Sequence, residues 1–164
     1  MTITYDAIAT YTTTGTESSF TFSSITSAYT DLVIIITGKA VSASDIYLKC
    51  NGDNGTNYTY IRASGNNSST EQSNSTGVSN GMLTTYWGNA TNDNAQVSFY
   101  NLMDYSNTTT FKSGYSLAIN AFNNGEDMIV STWRDTSAIT SLTVNPTNNF
   151  VAGTVATIYG IKKE

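Results

Sequence analysis

The chain predicts an all-β fold, and three observations carry that prediction. Thr, Ser and Asn make up about 40% of its 164 residues, and with Tyr, Val and Ile they favour strands and tight turns over helices. Short β-branched and aromatic segments recur between clusters of Gly, Asn, Asp and Ser, the spacing of a sandwich or barrel of roughly eight to ten strands. No segment holds an apolar period of 3.6 residues over three turns, and no heptads occur.

The strands follow in order. Ile3 to Thr12 opens the chain, and in Ser18 to Ser23 the rings of Phe20 and Phe22 share a face. Leu32 to Ile36 is the longest apolar run; it predicts a central strand over Asp31 to Thr37, buried on both sides. Asp45 to Cys50 and Asn57 to Ala63 flank Asn51-Gly52-Asp53-Asn54-Gly55, whose residues tolerate positive φ and predict a hairpin. Gly65 to Gly81 is too polar for a core and reads as a long surface loop. Met82 to Trp87 and Gln96 to Met103 follow, with Val97, Phe99 and Asn101 on one face. Tyr115 to Phe122 and Asp127 to Trp133 predict a second hairpin around Asn123 to Glu126. Ile139 to Val144 and Val155 to Ile161 close the chain, with Pro146 in the loop between them. No repeat or linker divides the sequence, so residues 1–164 read as a single domain.

Composition narrows the function. Seven Lys and Arg against twelve Asp and Glu give a net charge of −5, and the cations are scattered, so nucleic acid is not an expected partner. No apolar run approaches the ~18 residues of a membrane span. The N-terminus carries neither a basic start nor an apolar stretch after it, which predicts synthesis in a cytoplasm. Histidine is absent, which excludes Ser-His-Asp and Cys-His arrangements and the histidine-bearing zinc sites. Cys50, the one cysteine, alternates in phase with Ile46 and Leu48 and reads as a small core residue.

The sequence gives no reason to expect an enzyme, a cofactor or a metal. Asp104, Asp127 and Asp135 are the acids to test for carboxylate-pair hydrolysis; each also reads as a turn or strand-end residue. Asn51 to Gly55 resembles a calcium loop only superficially, because Arg62 stands where the terminal bidentate Glu belongs. Asn-X-Ser/Thr sequons stand at Asn54, Asn57, Asn66, Asn67, Asn74, Asn89 and Asn107; with this much Ser and Thr about five would arise by chance, so no glycosylation is read from them. Carbohydrate is the ligand class with candidate residues: Tyr58, Tyr60, Tyr86 and Trp87 offer ring faces beside amide and carboxylate groups, while Trp133, in phase with Ile129, is expected in the core.

Three stretches resemble a recurrent family of small virion proteins from tailed bacteriophages. They are Phe20-Thr21-Phe22-Ser23-Ser24-Ile25 with Tyr29-Thr30-Asp31-Leu32-Val33; Leu48 through Asn51-Gly52-Asp53-Asn54-Gly55 to Tyr60; and Trp133-Arg134, Ala138 to Leu142, Phe150-Val151-Ala152-Gly153-Thr154 and Ile158-Tyr159-Gly160-Ile161. The middle, Gly65 to Gly114, carries no such motif. The resemblance implies an antiparallel jelly-roll β-sandwich displayed on the virion as a decoration, cement or appendage (knob, fibre) subunit. It also implies a homotrimer whose partners are its own copies and other capsid or tail proteins. The alternative is a receptor-binding tip recognising cell-surface glycan through Tyr86, Trp87, Tyr58 and Tyr60. The motifs also have mechanical readings. Asp31 can accept backbone bonds where the central strand begins, and Phe150-Val151-Ala152-Gly153-Thr154 can form the bend that returns the last strand to the sheet.

Overall fold

A computed structural model describes residues 4–66, 68–87, 95–120 and 125–162. These form twelve strands: β1 (Thr4–Thr12), β2 (Phe20–Phe22), β3 (Asp31–Gly38), β4 (Ser44–Cys50), β5 (Tyr58–Gly65), β6 (Thr70–Val78), β7 (Met82–Trp87), β8 (Gln96–Met103), β9 (Lys112–Asn120), β10 (Gly125–Trp133), β11 (Leu142–Pro146) and β12 (Val155–Lys162). All pairings are antiparallel. An eight-stranded sheet runs β1-β12-β3-β8-β9-β10-β5-β6, and a four-stranded sheet runs β2-β11-β4-β7. The all-β, two-sheet expectation holds; the count is twelve rather than eight to ten.

The two sheets close on one apolar core. Alternation along β3 sends Leu32, Ile34 and Ile36 inward, where they meet Ile46 and Leu48 of β4, Leu142 and Val144 of β11, and Tyr100 of β8. All are essentially solvent-free, and burying each aliphatic side chain contributes about 1.5–3 kcal/mol. The central-strand reading of β3 is correct: it lies between β12 and β8. Cys50 is fully buried, as its phase predicts. Asp31 Oδ1 accepts the Asp104 backbone N–H at 2.8 Å where β3 begins, and Gly153, at φ 84°, supplies the bend before β12.

Three expectations are corrected. The Asn51–Gly55 turn has the anticipated left-handed residues, Asn51 at φ 49° and Gly52 at φ 68°, yet it makes no hairpin. It carries the chain from β4 in the small sheet to β5 in the large one. Thr70 to Val78, inside the presumed surface loop, is the edge strand β6, paired with β5 over most of its length. Both its faces are largely solvated, so it lacks the apolar alternation that marks a strand. Pro146 is the last residue of β11, opposite Ile46, rather than a loop residue; a strand end accommodates its missing N–H. The second hairpin is present as the β9·β10 pair, and Asn123 and Asn124 of its predicted turn lie outside the described residues.

The free edge of β7 is capped by side chains of the large sheet. Ser131 Oγ donates to the Leu83 carbonyl at 3.2 Å, Ser116 Oγ donates to the Thr84 carbonyl, and Asp127 Oδ2 accepts the Tyr86 N–H at 3.1 Å. On the paired edge the register with β4 slips around Thr84, where the Thr84 hydroxyl donates to Ile46 O at 2.9 Å. Buried hydroxyls thus stand where a fifth strand would, satisfying backbone groups that burial would otherwise leave costly.

Candidate functional site

Two surface regions stand out, one polar and one apolar, and both follow from the width of the large sheet. On its inner face, β5 and β10 run beyond the cover of β7 and leave a cleft of about 240 Å³ lined by Arg62, Ser64, Gly65, Asn66, Ser69, Glu71, Tyr86, Gly125, Glu126 and Asp127. A Cβ at Gly125 would stand 2.6 Å from the Gly65 carbonyl oxygen, so the strands close to this spacing because position 125 lacks one.

Arg62 and Asp127 organise the cleft. They pair across β5 and β10, and Arg62 Nε and Nη2 both donate to Asp127 Oδ1, at 3.0 and 2.7 Å. The Asp127 side chain is 1% exposed and that of Arg62 20%, so the carboxylate is desolvated while the guanidinium reaches solvent. The guanidinium also lies 5.4 Å from the centre of the Tyr86 ring, within cation–π range. Asp45 lies close enough to feel both charges. Burial pushes its carboxyl above the usual value, against the Tyr47 hydroxyl bond and the Arg62 charge, while the Asp127 charge pushes it further up.

The four predicted carbohydrate platforms part company. Tyr86 is half-buried and lines the cleft. Tyr60 is also half-buried and packs against Tyr47, Leu83 and Ile129. Trp87 is fully buried, edge-on to Phe150, and Tyr58 is fully buried with its hydroxyl donating to Asp53 O at 3.2 Å. Neither buried ring presents a face to a ligand; their apolar area fills the core instead. Trp133 is a core residue, as its phase predicts.

The other candidates resolve into scaffolding. Asp104 sits in a turn at φ 54°, and Asp135 accepts the Ser137 N–H at 2.7 Å. Asp127, read as a turn or strand-end residue, is the third residue of β10 and a buried ion-pair partner. The oxygens of the Asn51–Gly55 segment are already engaged: Asn51 Oδ1 accepts from the Thr140 and Ser141 amides, and Asp53 from Gly55, Asn57 and Trp133. Among the described residues, no group of three or more His, Cys, Asp or Glu side chains could hold a metal ion.

The second region is the outer face of the large sheet, where no strand covers it among the described residues. Register aligns Phe99, Leu117 and Met128 in one row and Tyr115, Val130 and Ile61 in the next. Ile61 is 64%, Met128 59% and Leu117 50% exposed, and Ile119, Val97 and Met103 extend the patch. Its two shallow grooves, of about 350 and 310 Å³, meet at Leu117 and are both bordered by Glu126 and Asp127, the first also by Glu71. Sequence reading placed Val97 and Phe99 on one face but gave no sign that this face is the outer one. Alternation identifies a shared face without saying which side is covered.

Compared with protein-family models, with curated proteins and with solved structures, the chain gives no match.

Proposed function

We propose that the protein is a non-enzymatic structural subunit of a tailed-phage virion, a jelly-roll sandwich that assembles with copies of itself on the particle surface as a decoration, cement or appendage subunit. The observation that carries this reading is the apolar outer face of the eight-stranded sheet. Ile61, Met128, Ile119, Val130 and Leu117 on it are each half or more exposed, and a contiguous apolar patch of this kind marks an interaction surface. The acids that border it, Glu126, Asp127 and Glu71, gather at one end of the strands, so the aliphatic rows themselves can take a second copy as their cover. The homotrimer implied by the sequence resemblance would close the contact around an axis and prevent an open filament. The outer edge of β1, at the end of the sheet, is available to a neighbouring subunit in the same assembly.

The experiment is sedimentation of the wild type and of Leu117→Glu at micromolar concentration, paired with labelling of the protein in purified particles. The expected result is a wild-type oligomer, a monomeric variant with unchanged circular dichroism, and label on the virion exterior. A monomeric wild type, or particles without the protein, removes the reading.

A further inference from the structure

We propose that the Arg62–Asp127 cleft is a binding site for an uncharged sugar ring of a glycan. The cleft opens on the inner side of the large sheet whereas the apolar rows of the assembly face lie on the outer one; the two meet only at one end of β5, β6 and β10, where Ser64, Gly65, Glu71, Glu126 and Asp127 border both.

Size comes first. At about 240 Å³ the cleft lies below the roughly 300–1,000 Å³ of sites for drug-sized ligands, which suits one or two pyranose rings.

Chemistry comes second. Glu71, which its register with Ser64 puts on the cleft side, is an exposed acceptor at the mouth; Asn66 keeps its amide N–H groups to donate while its oxygen accepts from the Ser68 and Ser69 backbone; and the Arg62 guanidinium brings donors. A polyol, whose every hydroxyl donates and accepts, matches that mixture better than a purely accepting or purely donating ligand. Tyr86 adds part of an aromatic ring, the surface on which the C–H face of a sugar packs.

Pre-organisation comes third. Asp127 is buried and uses both carboxylate oxygens, one on Arg62 and one on the Tyr86 backbone N–H. One side chain thus fixes the cation and the ring-bearing strand relative to each other. A ligand meets donors already held in place, which lowers the ordering cost of binding.

Charge decides the ligand class. Glu71, Glu126 and Asp127 outnumber Arg62 around the cleft, and Asp127 already neutralises Arg62. Phosphate, sialic acid and uronic acids would meet net repulsion. A neutral hexose or N-acetylhexosamine would not.

The test is saturation-transfer NMR on the intact protein with glucose, galactose and N-acetylglucosamine as separate probes and sialic acid as a charged comparison; inorganic phosphate and Ca²⁺, which carry no C–H protons, are followed instead by shifts of the protein's amide signals. Transfer to at least one neutral sugar is expected, with a dissociation constant of about 1 mM. Glu71→Ala, which alters one exposed side chain on the cleft side, should weaken it by about tenfold, the effect of losing charge-assisted hydrogen bonds. Oligosaccharides of the responding sugar should bind at the same site. The monomeric Leu117→Glu protein should bind equally well, which separates this inference from the assembly reading. No transfer to any neutral sugar, transfer unchanged in Glu71→Ala, or a response confined to the anions or to Ca²⁺ would each overturn the proposal.

Discussion

Trp133 and Asp53 are joined by a 2.7 Å hydrogen bond from the indole Nε1–H to the carboxylate Oδ2. The bond ties the end of β10 to the segment that carries the chain from one sheet to the other. Asp53 also accepts the Gly55 N–H at 2.6 Å and the Asn57 amide at 2.8 Å. Asp53→Ala strands the indole donor and loosens the crossing, with an expected cost of about 1–3 kcal/mol in urea denaturation. Asp53→Asn should cost less, because one amide oxygen can still accept from the indole.

The same carboxylate gives stability a pH dependence. Burial pushes the Asp53 carboxyl up, but the bonds from Asn57, Trp133 and Gly55 together outweigh it and hold it below the usual value. Asp135 is likewise lowered, first by the backbone bond from Ser137. For a depressed carboxyl, the stabilisation is complete above the unfolded-state value near ~3.9 and is lost as pH falls through the lower folded value. Urea midpoints should therefore decline below about pH 4. Asp53→Asn should show a shallower decline than the wild type; parallel curves would show that Asp53 is uninvolved.

Arg62 and Asp127 predict a non-additive pair. Truncating Asp127 to Ala leaves Arg62 half-buried beside the Tyr86 amide, and the expected loss is about 3 kcal/mol. Arg62→Met/Asp127→Leu removes both charges and should recover part of that loss. Chemical denaturation of the two single variants and the double gives the coupling energy; strict additivity would show that the two side chains do not act as a unit.

Cys50 should be chemically silent until the protein unfolds. It is enclosed between the sheets, and burial, reinforced by the Asp53 charge, pushes its thiol well above the ordinary cysteine value. Reaction with a thiol reagent at pH 8 should proceed at a rate set by opening of the core. The rate should therefore be independent of reagent concentration once the reagent outpaces reclosing.

Gly160 holds a place for Tyr29. The Tyr29 ring occupies the space that a Cβ at position 160 would fill, while Lys162 stands 5.5 Å from the same ring centre. Gly160→Ala should displace the ring and lower stability by about 1–3 kcal/mol. Gly160→Ala/Tyr29→Ala, which makes room for the methyl, should cost less than the two separate losses combined.

The strands were legible because alternation and β-branching act locally, and β8, Gln96 to Met103, matches its expected bounds. Sheet membership was not. The φ values at Asn51 and Gly52 suit a hairpin and an inter-sheet crossing equally, and the pairing of β4 with β11 and β7 depends on residues far along the chain. β6 escaped notice because an edge strand wet on both sides has no apolar period to detect. At the candidate site, Tyr86 was legible as an aromatic residue among polar neighbours. The Arg62–Asp127 pair was not, because only the β5·β10 register brings those side chains together. The burial of Tyr58 and Trp87 likewise reflects packing partners such as Phe150 that no local pattern reveals.

Across strand pairs on the exterior, hydroxyl faces hydroxyl: Thr10 with Thr157 at 3.0 Å, Thr21 with Thr143 at 2.8 Å, Thr59 with Thr76 at 3.2 Å and Ser113 with Thr132 at 3.3 Å. Dissolved ions shield charges and leave such neutral contacts almost untouched. These seams should therefore grip alike in fresh water and in brine.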